Sequence, residues 1–196
     1  MNLPNKITIA RIVLTFIFMF LLYLHGVIFK ILALVVFLLA VYSDYLDGML
    51  ARKLDIRTDF GKLMDPVADK ILVLGAMLAF VEMNLVPAWA VTVIILRELI
   101  ITGLRLIVLK GNNKVIEAHK LGKHKTVAQM VSIFFILLFI IFKEAGLTVY
   151  GFWDQALEYW YRQLIFCLIL VTVAYTVASG VLYINANKRC LMNWEK

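Results

Sequence analysis

Four aspartates stand in two pairs, Asp44 with Asp47 and Asp65 with Asp69. Spacings of three and four put the members of each pair on one face of a helix. Four carboxylates brought together cannot all stay ionised without cations. Oxygen donors with no His or Cys among them suit hard divalent ions, Mg²⁺ or Mn²⁺ rather than zinc. Four negative charges balance two such ions, the arrangement that clamps the attacking and leaving oxygens in phosphoryl transfer. The competing reading makes the aspartates ion-pair partners of Arg52, Lys53, Arg57 and Lys62 at a membrane edge. Asp65 precedes Pro66, which predicts an N-cap and first-turn proline, with the positive end of the third helix at the site. Gly48 and Gly61 leave room for a bulky ligand against backbone, Ala51 keeps that face open, and Arg52 offers a planar fork to phosphate.

The elements that must carry these residues are membrane helices. The chain has 196 residues, of which 63% are apolar and 17% charged. A soluble domain has about 45 to 50% and about 25%, so a soluble globule is excluded. Six stretches reach the length needed to cross about 30 Å of hydrocarbon, at roughly 7 to 28, 31 to 52, 64 to 83, 85 to 109, 125 to 143 and 163 to 185. The expected fold is therefore an all-α integral membrane domain of six transmembrane helices. Residues 1 to 196 form a single unit, and residues 1 to 11 a short N-terminal helix lying at the headgroup level.

Charge is segregated by helix. The first, fifth and sixth stretches are nearly free of it, whereas the second and third hold the aspartates and the fourth holds Arg97, Glu98 and Arg105. Ionisable groups at such depth are functional candidates by default. The excess of 20 Lys+Arg over 13 Asp+Glu, net +7, falls mostly in alternate connections and at the ends. It predicts both termini in the cytoplasm and the aspartates near that surface of the cell membrane, with no role in nucleic-acid binding. Between residues 143 and 162, Trp153, Tyr159, Trp160 and Tyr161 read as an outer aromatic belt. Cys167 and Cys190 provide neither a disulfide framework nor a soft-metal set, and the N-terminus carries no cleavable-signal pattern. His25, His119 and His124 gain no metal role.

The run Asp44-x2-Asp47-Gly48-x2-Ala51-Arg52-x8-Gly61-x3-Asp65-x3-Asp69 resembles the signature of the CDP-alcohol phosphotransferase family. Eight fixed identities over 26 residues would match a given start by chance at a frequency on the order of 10⁻¹⁰. The resemblance implies transfer of a phosphoalcohol from a CDP-linked donor to a hydroxyl, with CMP leaving. It implies two metals on Asp44, Asp47, Asp65 and Asp69, with Asp69 also the general base. It further implies CDP contacts from Asn5, Thr8, Gly48, Arg52 and Thr58, and a homodimer.

A second group of motifs narrows the substrates. Asn2-Leu3-Pro4-Asn5 with Thr8 and Arg11, Arg97-Glu98 with Thr102-Gly103-Leu104-Arg105, and Gly122-Lys123 with Lys125-Thr126 are similar to family members that use CDP-diacylglycerol and glycerol 3-phosphate. Thr102 stands where many relatives have serine, which keeps the hydroxyl. From the residues alone, Arg97 and Arg105 lie two turns apart, and Lys123 and Lys125 bracket the start of the fifth helix. These four cations form a candidate pocket for the phosphate of an anionic acceptor, against the reading that Arg97 merely pairs with Glu98 and the lysines mark topology. Alternatives are the same chemistry with inositol phosphate, serine or phosphatidylglycerol as acceptor, or a divalent-ion transporter.

Overall fold

In a computed structural model the backbone is described for residues 3–54, 59–110, 121–151 and 153–192, and side chains for 9–43, 70–104, 125–149, 151 and 153–186. Among the described residues six α-helices follow in order: α1 Leu3–Tyr23, α2 Val27–Leu54, α3 Asp59–Glu82, α4 Ala88–Lys110, α5 Leu121–Ala145 and α6 Gln155–Met192. A π-helical turn, Gly146–Tyr150, links the last two. Among the described residues there is no strand. Two stretches, Lys125–Val149 and Gln155–Ala186, are long and apolar enough to cross a membrane, and Ile9–Tyr23 and Val27–Ser43 are shorter apolar runs.

Apolar residues cover both sides of these helices, as lipid requires. Inward, Phe18 and Leu22 of α1, Phe37 of α2, Leu72, Met77 and Phe80 of α3, Ile133, Ile136 and Leu137 of α5 and Ile165 and Ile169 of α6 form one core. Outward, Phe16, Phe20, Ile28, Leu99 and Trp160 are each more than 60% exposed. Water would not tolerate so much apolar surface on a monomer, whereas acyl chains do.

The helices alternate in direction, and at one end their connections are tied together. Helix α3 closes in a Schellman motif: Leu85 N donates to Phe80 O and Asn84 N to Val81 O, both at 2.9 Å, with Asn84 left-handed at φ 55°. The Lys30 ammonium donates to Leu22 O and so satisfies a terminal carbonyl of α1. Gly26 N donates to Glu144 Oε1 at 2.7 Å, and Arg162 Nη1 to Asn84 O at 2.9 Å. Asp154 caps α6 by accepting from Leu157 N at 2.8 Å. Glu158 accepts from Lys143 at 2.9 Å and from Arg162 Nη2 at 2.8 Å.

Three expectations are corrected. No separate N-terminal helix precedes the first span: α1 runs unbroken from Leu3, because Pro4 falls in its first turn, where a missing N–H costs nothing, and no other breaker follows. Helix α3 starts at Asp59, so Asp65 and Pro66 lie inside it rather than at its N-terminus. Interior proline loses the bond to the fourth residue before it, a loss that helices in membranes accommodate. The aromatic belt is divided: Trp153 stacks on Tyr161 at 5.5 Å and both rings pack on Phe139, whereas Tyr159 and Trp160 face outward.

Candidate active site

The four aspartates lie on two consecutive helices joined by residues 55–58. Counting back from Leu54, Asp47 is seven residues and Asp44 ten residues into α2. Counting on from Asp59, Asp65 is six and Asp69 ten residues into α3. At 1.5 Å per residue, Asp47 and Asp65 stand about 10 Å, and Asp44 and Asp69 about 15 Å, along their helices from the connection. As a donor set, four carboxylates suit hard divalent ions. Their side chains, with those of Asn5, Thr8, Arg52, Arg105 and Lys123, lie outside the described residues, as does the whole of Thr58. Gly48 lies on α2, four residues beyond Asp44.

Of the four expected acceptor-site cations, Arg97 and Lys125 are described, and they come together. Glu98 is the meeting point. Arg97 Nη1 lies 3.6 Å from its Oε1, Lys125 forms an ion pair with the same oxygen, and Lys70 Nζ lies 3.8 Å from Oε2. Helices α3, α4 and α5 therefore each send a cation to one carboxylate. Arg97 and Glu98 are each 14% exposed and Lys125 is 6% exposed, while Lys70 is the most open at 31%. Arg105 stands eight residues after Arg97 on α4, and Lys123 two residues before Lys125 on α5.

Hydroxyls complete the arrangement. Lys70 Nζ donates to the Thr102 hydroxyl, which donates in turn to Glu98 O at 2.7 Å. Arg97 Nη2 donates to Ser179 Oγ at 3.0 Å, and Ser179 Oγ donates to Thr176 O at 2.9 Å. Gly180 lets α6 come this close: a Cβ there would stand 3.2 Å from Arg97 Cγ. Below Lys125 the α5–α6 seam stays polar. Gln129 and Ser132 follow Lys125 at helical spacing, all three buried, and Ser132 Oγ shares a hydrogen bond with Thr172 Oγ1 at 2.8 Å.

Sequence reasoning missed Lys70, Ser179 and the central place of Glu98. Lys70 directly follows Asp69, and a lysine well inside an otherwise apolar span was the available signal. Ser179 carried none, since its partner lies 82 residues away. Among the described residues no group of three or more His, Cys, Asp or Glu is placed to hold a metal.

A family model described as CDP-alcohol phosphatidyltransferase matches residues 1–179. A CDP-diacylglycerol--glycerol-3-phosphate 3-phosphatidyltransferase of Bacillus subtilis is 40% identical over 202 residues, covering 97% of each chain. One of the same name from Rickettsia bellii is 31% identical over 96% of each chain. A probable phosphatidylglycerophosphate synthase of Mycobacterium tuberculosis is 36% identical over 67% of this chain and 64% of its own.

Proposed function

Because the chain belongs to the CDP-alcohol phosphatidyltransferase family, we propose that it transfers the phosphatidyl group of CDP-diacylglycerol to glycerol 3-phosphate, giving phosphatidylglycerol phosphate and CMP. Near-full-length similarity to enzymes named for that reaction supports the reading. The observation within the molecule that carries it is the gathering of Lys70, Arg97 and Lys125 around one carboxylate. Three helices, α3, α4 and α5, each bring one cation to this part-buried carboxylate. Cations gathered in this way suit an acceptor that carries a phosphate, as glycerol 3-phosphate does, better than one that has none, such as serine.

The four aspartates fit two divalent ions by number and hardness. Such ions, when held by Asp44, Asp47, Asp65 and Asp69, would supply charge neutralisation at the diphosphate and at the departing CMP. The chain's own part is to place and deprotonate. Donor acyl chains remain in lipid, and Asn5, Thr8, Gly48, Arg52 and Thr58 contact the CDP portion. Arg97, Arg105, Lys123 and Lys125 hold the acceptor phosphate. Asp69 takes the proton of the primary hydroxyl, whose oxygen forms a bond to the phosphorus bearing diacylglycerol as the bond from that phosphorus to CMP breaks. A carboxylate that also binds cations is a weak base, so it works through position.

The site faces the cytoplasm, with both termini inside. Cations assigned to the outer side are occupied structurally: Lys30 with a carbonyl of α1, and Lys143 and Arg162 with Glu158. A homodimer is proposed on the family resemblance alone. An ion path through the bundle is disfavoured, because Leu72, Val73, Ala76, Met77 and Phe80 of α3 beyond the charged cluster are buried apolar residues.

The test is CMP release by the purified full chain from radiolabelled CDP-diacylglycerol, with Mg²⁺ or Mn²⁺, across glycerol 3-phosphate, inositol phosphate, serine and phosphatidylglycerol. Glycerol 3-phosphate is the expected best acceptor. Preference for another removes the acceptor assignment, and Mg²⁺ flux into liposomes without CMP release removes the enzyme.

A further inference from the structure

We infer that a cavity at the rim away from the aspartate motif binds the phosphate of a membrane phospholipid headgroup, with Lys30 and Lys143 as its charged contacts. The inference is independent of the acceptor reading and rests on the membrane setting alone.

The cavity measures about 400 Å³, within the usual size range of small-ligand sites. It is lined by His25 in the turn after α1, Lys30 of α2, Met83 just beyond α3, and Phe139, Lys143 and Glu144 of α5. The start of α2 and the end of α3 are the ends of those helices away from Asp44, Asp47, Asp65 and Asp69, so this space is separate from the candidate active site.

Lys30 is the decisive group. It is 6% exposed, and a buried ammonium is costly unless acceptors surround it. Its head carries three N–H donors. Among the described residues one of them is used, on Leu22 O, which leaves the others for an occupant of the cavity. Lys143 donates to Glu158 Oε1 at 2.9 Å, but that oxygen also accepts from Arg162 Nη2 at 2.8 Å and Nε at 3.0 Å. One carboxylate thus serves two cations. Glu144, the acid on the cavity wall, is turned to backbone, its Oε1 accepting from Gly26 N at 2.7 Å. A phosphate shared by Lys30 and Lys143 supplies acceptors to both ammonium groups and joins α2 to α5 through charge-assisted bonds.

The surroundings select a lipid over a free anion. Met83, Phe139 and Ile140 give the cavity an apolar side. Trp153 and Tyr161 pack on Phe139 with centroids at 5.8 and 5.2 Å, and such aromatics sit at headgroup level. Tyr23, Ile28 and Phe142 are exposed on the same rim, so a lipid whose phosphate enters the cavity keeps its chains on apolar surface.

Trp153 serves as the reporter, through its contact with Phe139. The full chain carrying Trp89→Phe, Trp160→Phe and Trp194→Phe is titrated in dodecyl maltoside micelles with a phosphatidylcholine bearing a nitroxide on its headgroup. Emission is expected to fall along a saturating curve and to be restored by excess dioleoylphosphatidylglycerol. Dioleoylglycerol, which lacks the phosphate, and sodium phosphate, which lacks the chains, should not restore it. Lys143→Met should raise the half-saturating lipid concentration about tenfold, the scale of one lost bond between charged groups, and Lys143→Arg should recover most of the loss. Lys30→Met should act likewise; since Lys30 also caps α1, Lys143→Met decides if that variant fails to fold. Lipid at the aspartate end does not give this signal, because Asp69 lies thirteen residues before the end of α3, about 20 Å along the helix. Quenching that rises in proportion to lipid and is unchanged by Lys143→Met overturns the inference. So does restoration by dioleoylglycerol, which would mean a merely apolar site, or by sodium phosphate, which would mean a free-anion site.

Discussion

Gly180→Ala separates stability from substrate affinity. The added Cβ would meet Arg97 Cγ at 3.2 Å and Nε at 3.6 Å, so the arginine stem must give by a few tenths of an ångström. Its far end is held, with Nη2 3.0 Å from Ser179 Oγ and Nη1 3.6 Å from Glu98. Displacing the stem therefore lengthens one of these contacts. Alanine gains about 1 kcal/mol of helix propensity over glycine, and overpacking costs about 1 to 3 kcal/mol. The net stability change lies within about 2 kcal/mol, or a shift in Tm of at most about 8 °C for a chain of this size. Losing one hydrogen bond to a charged group costs about 1.5 to 3 kcal/mol. The KM for glycerol 3-phosphate should accordingly rise about tenfold or more, with little effect on CDP-diacylglycerol. Gly103→Ala is the companion, since a Cβ there meets nothing within 4 Å among the described residues. It should raise stability by about 1 kcal/mol and leave both KM values alone. An unchanged acceptor KM in Gly180→Ala, or equal KM shifts from both alanines, refutes the packing argument.

Other outcomes follow from single residues. Asp69→Asn should abolish CMP release while retention of radiolabelled CDP-diacylglycerol by the purified protein survives; retained turnover removes the base assignment. Thr172→Val should destabilise by about 0.6 to 1.7 kcal/mol, read by thermal unfolding in micelles, because the Ser132 hydroxyl loses its partner in a buried seam. Ser132→Ala with Thr172→Val should cost less than the sum of the single changes, as removal of both partners leaves nothing unsatisfied. Asn84→Val should lower stability by about 1 to 2 kcal/mol through its left-handed backbone, and Asn84→Gly should be nearly neutral.

The helices were legible because apolar blocks of spanning length are hard to disguise, and the aspartate motif because its residues lie within helical reach of one another. Boundaries were less so. Asp65-Pro66 has the chemistry of a helix start, yet α3 begins at Asp59. The polar run at residues 1 to 11 suggests a short helix of its own, whereas Pro4 merely opens a long one. Likewise α6 continues to Met192, well past the apolar stretch that ends at about residue 185, because Lys188 and Arg189 propagate a helix readily once it leaves hydrocarbon. The pairing of Arg97 with Ser179 was invisible, because contacts across separate helices leave no periodicity in the chain.

The ties among Gly26, Glu144, Asn84, Arg162, Lys143 and Glu158 join the turns after α1 and α3 to the ends of α5 and α6. Laced at that rim, the bundle resembles a folded fan held at its pivot. The ties fall at the start of α2 and the end of α3, the ends of both helices away from the aspartate motif, so bracing and candidate site occupy opposite ends of the same two helices.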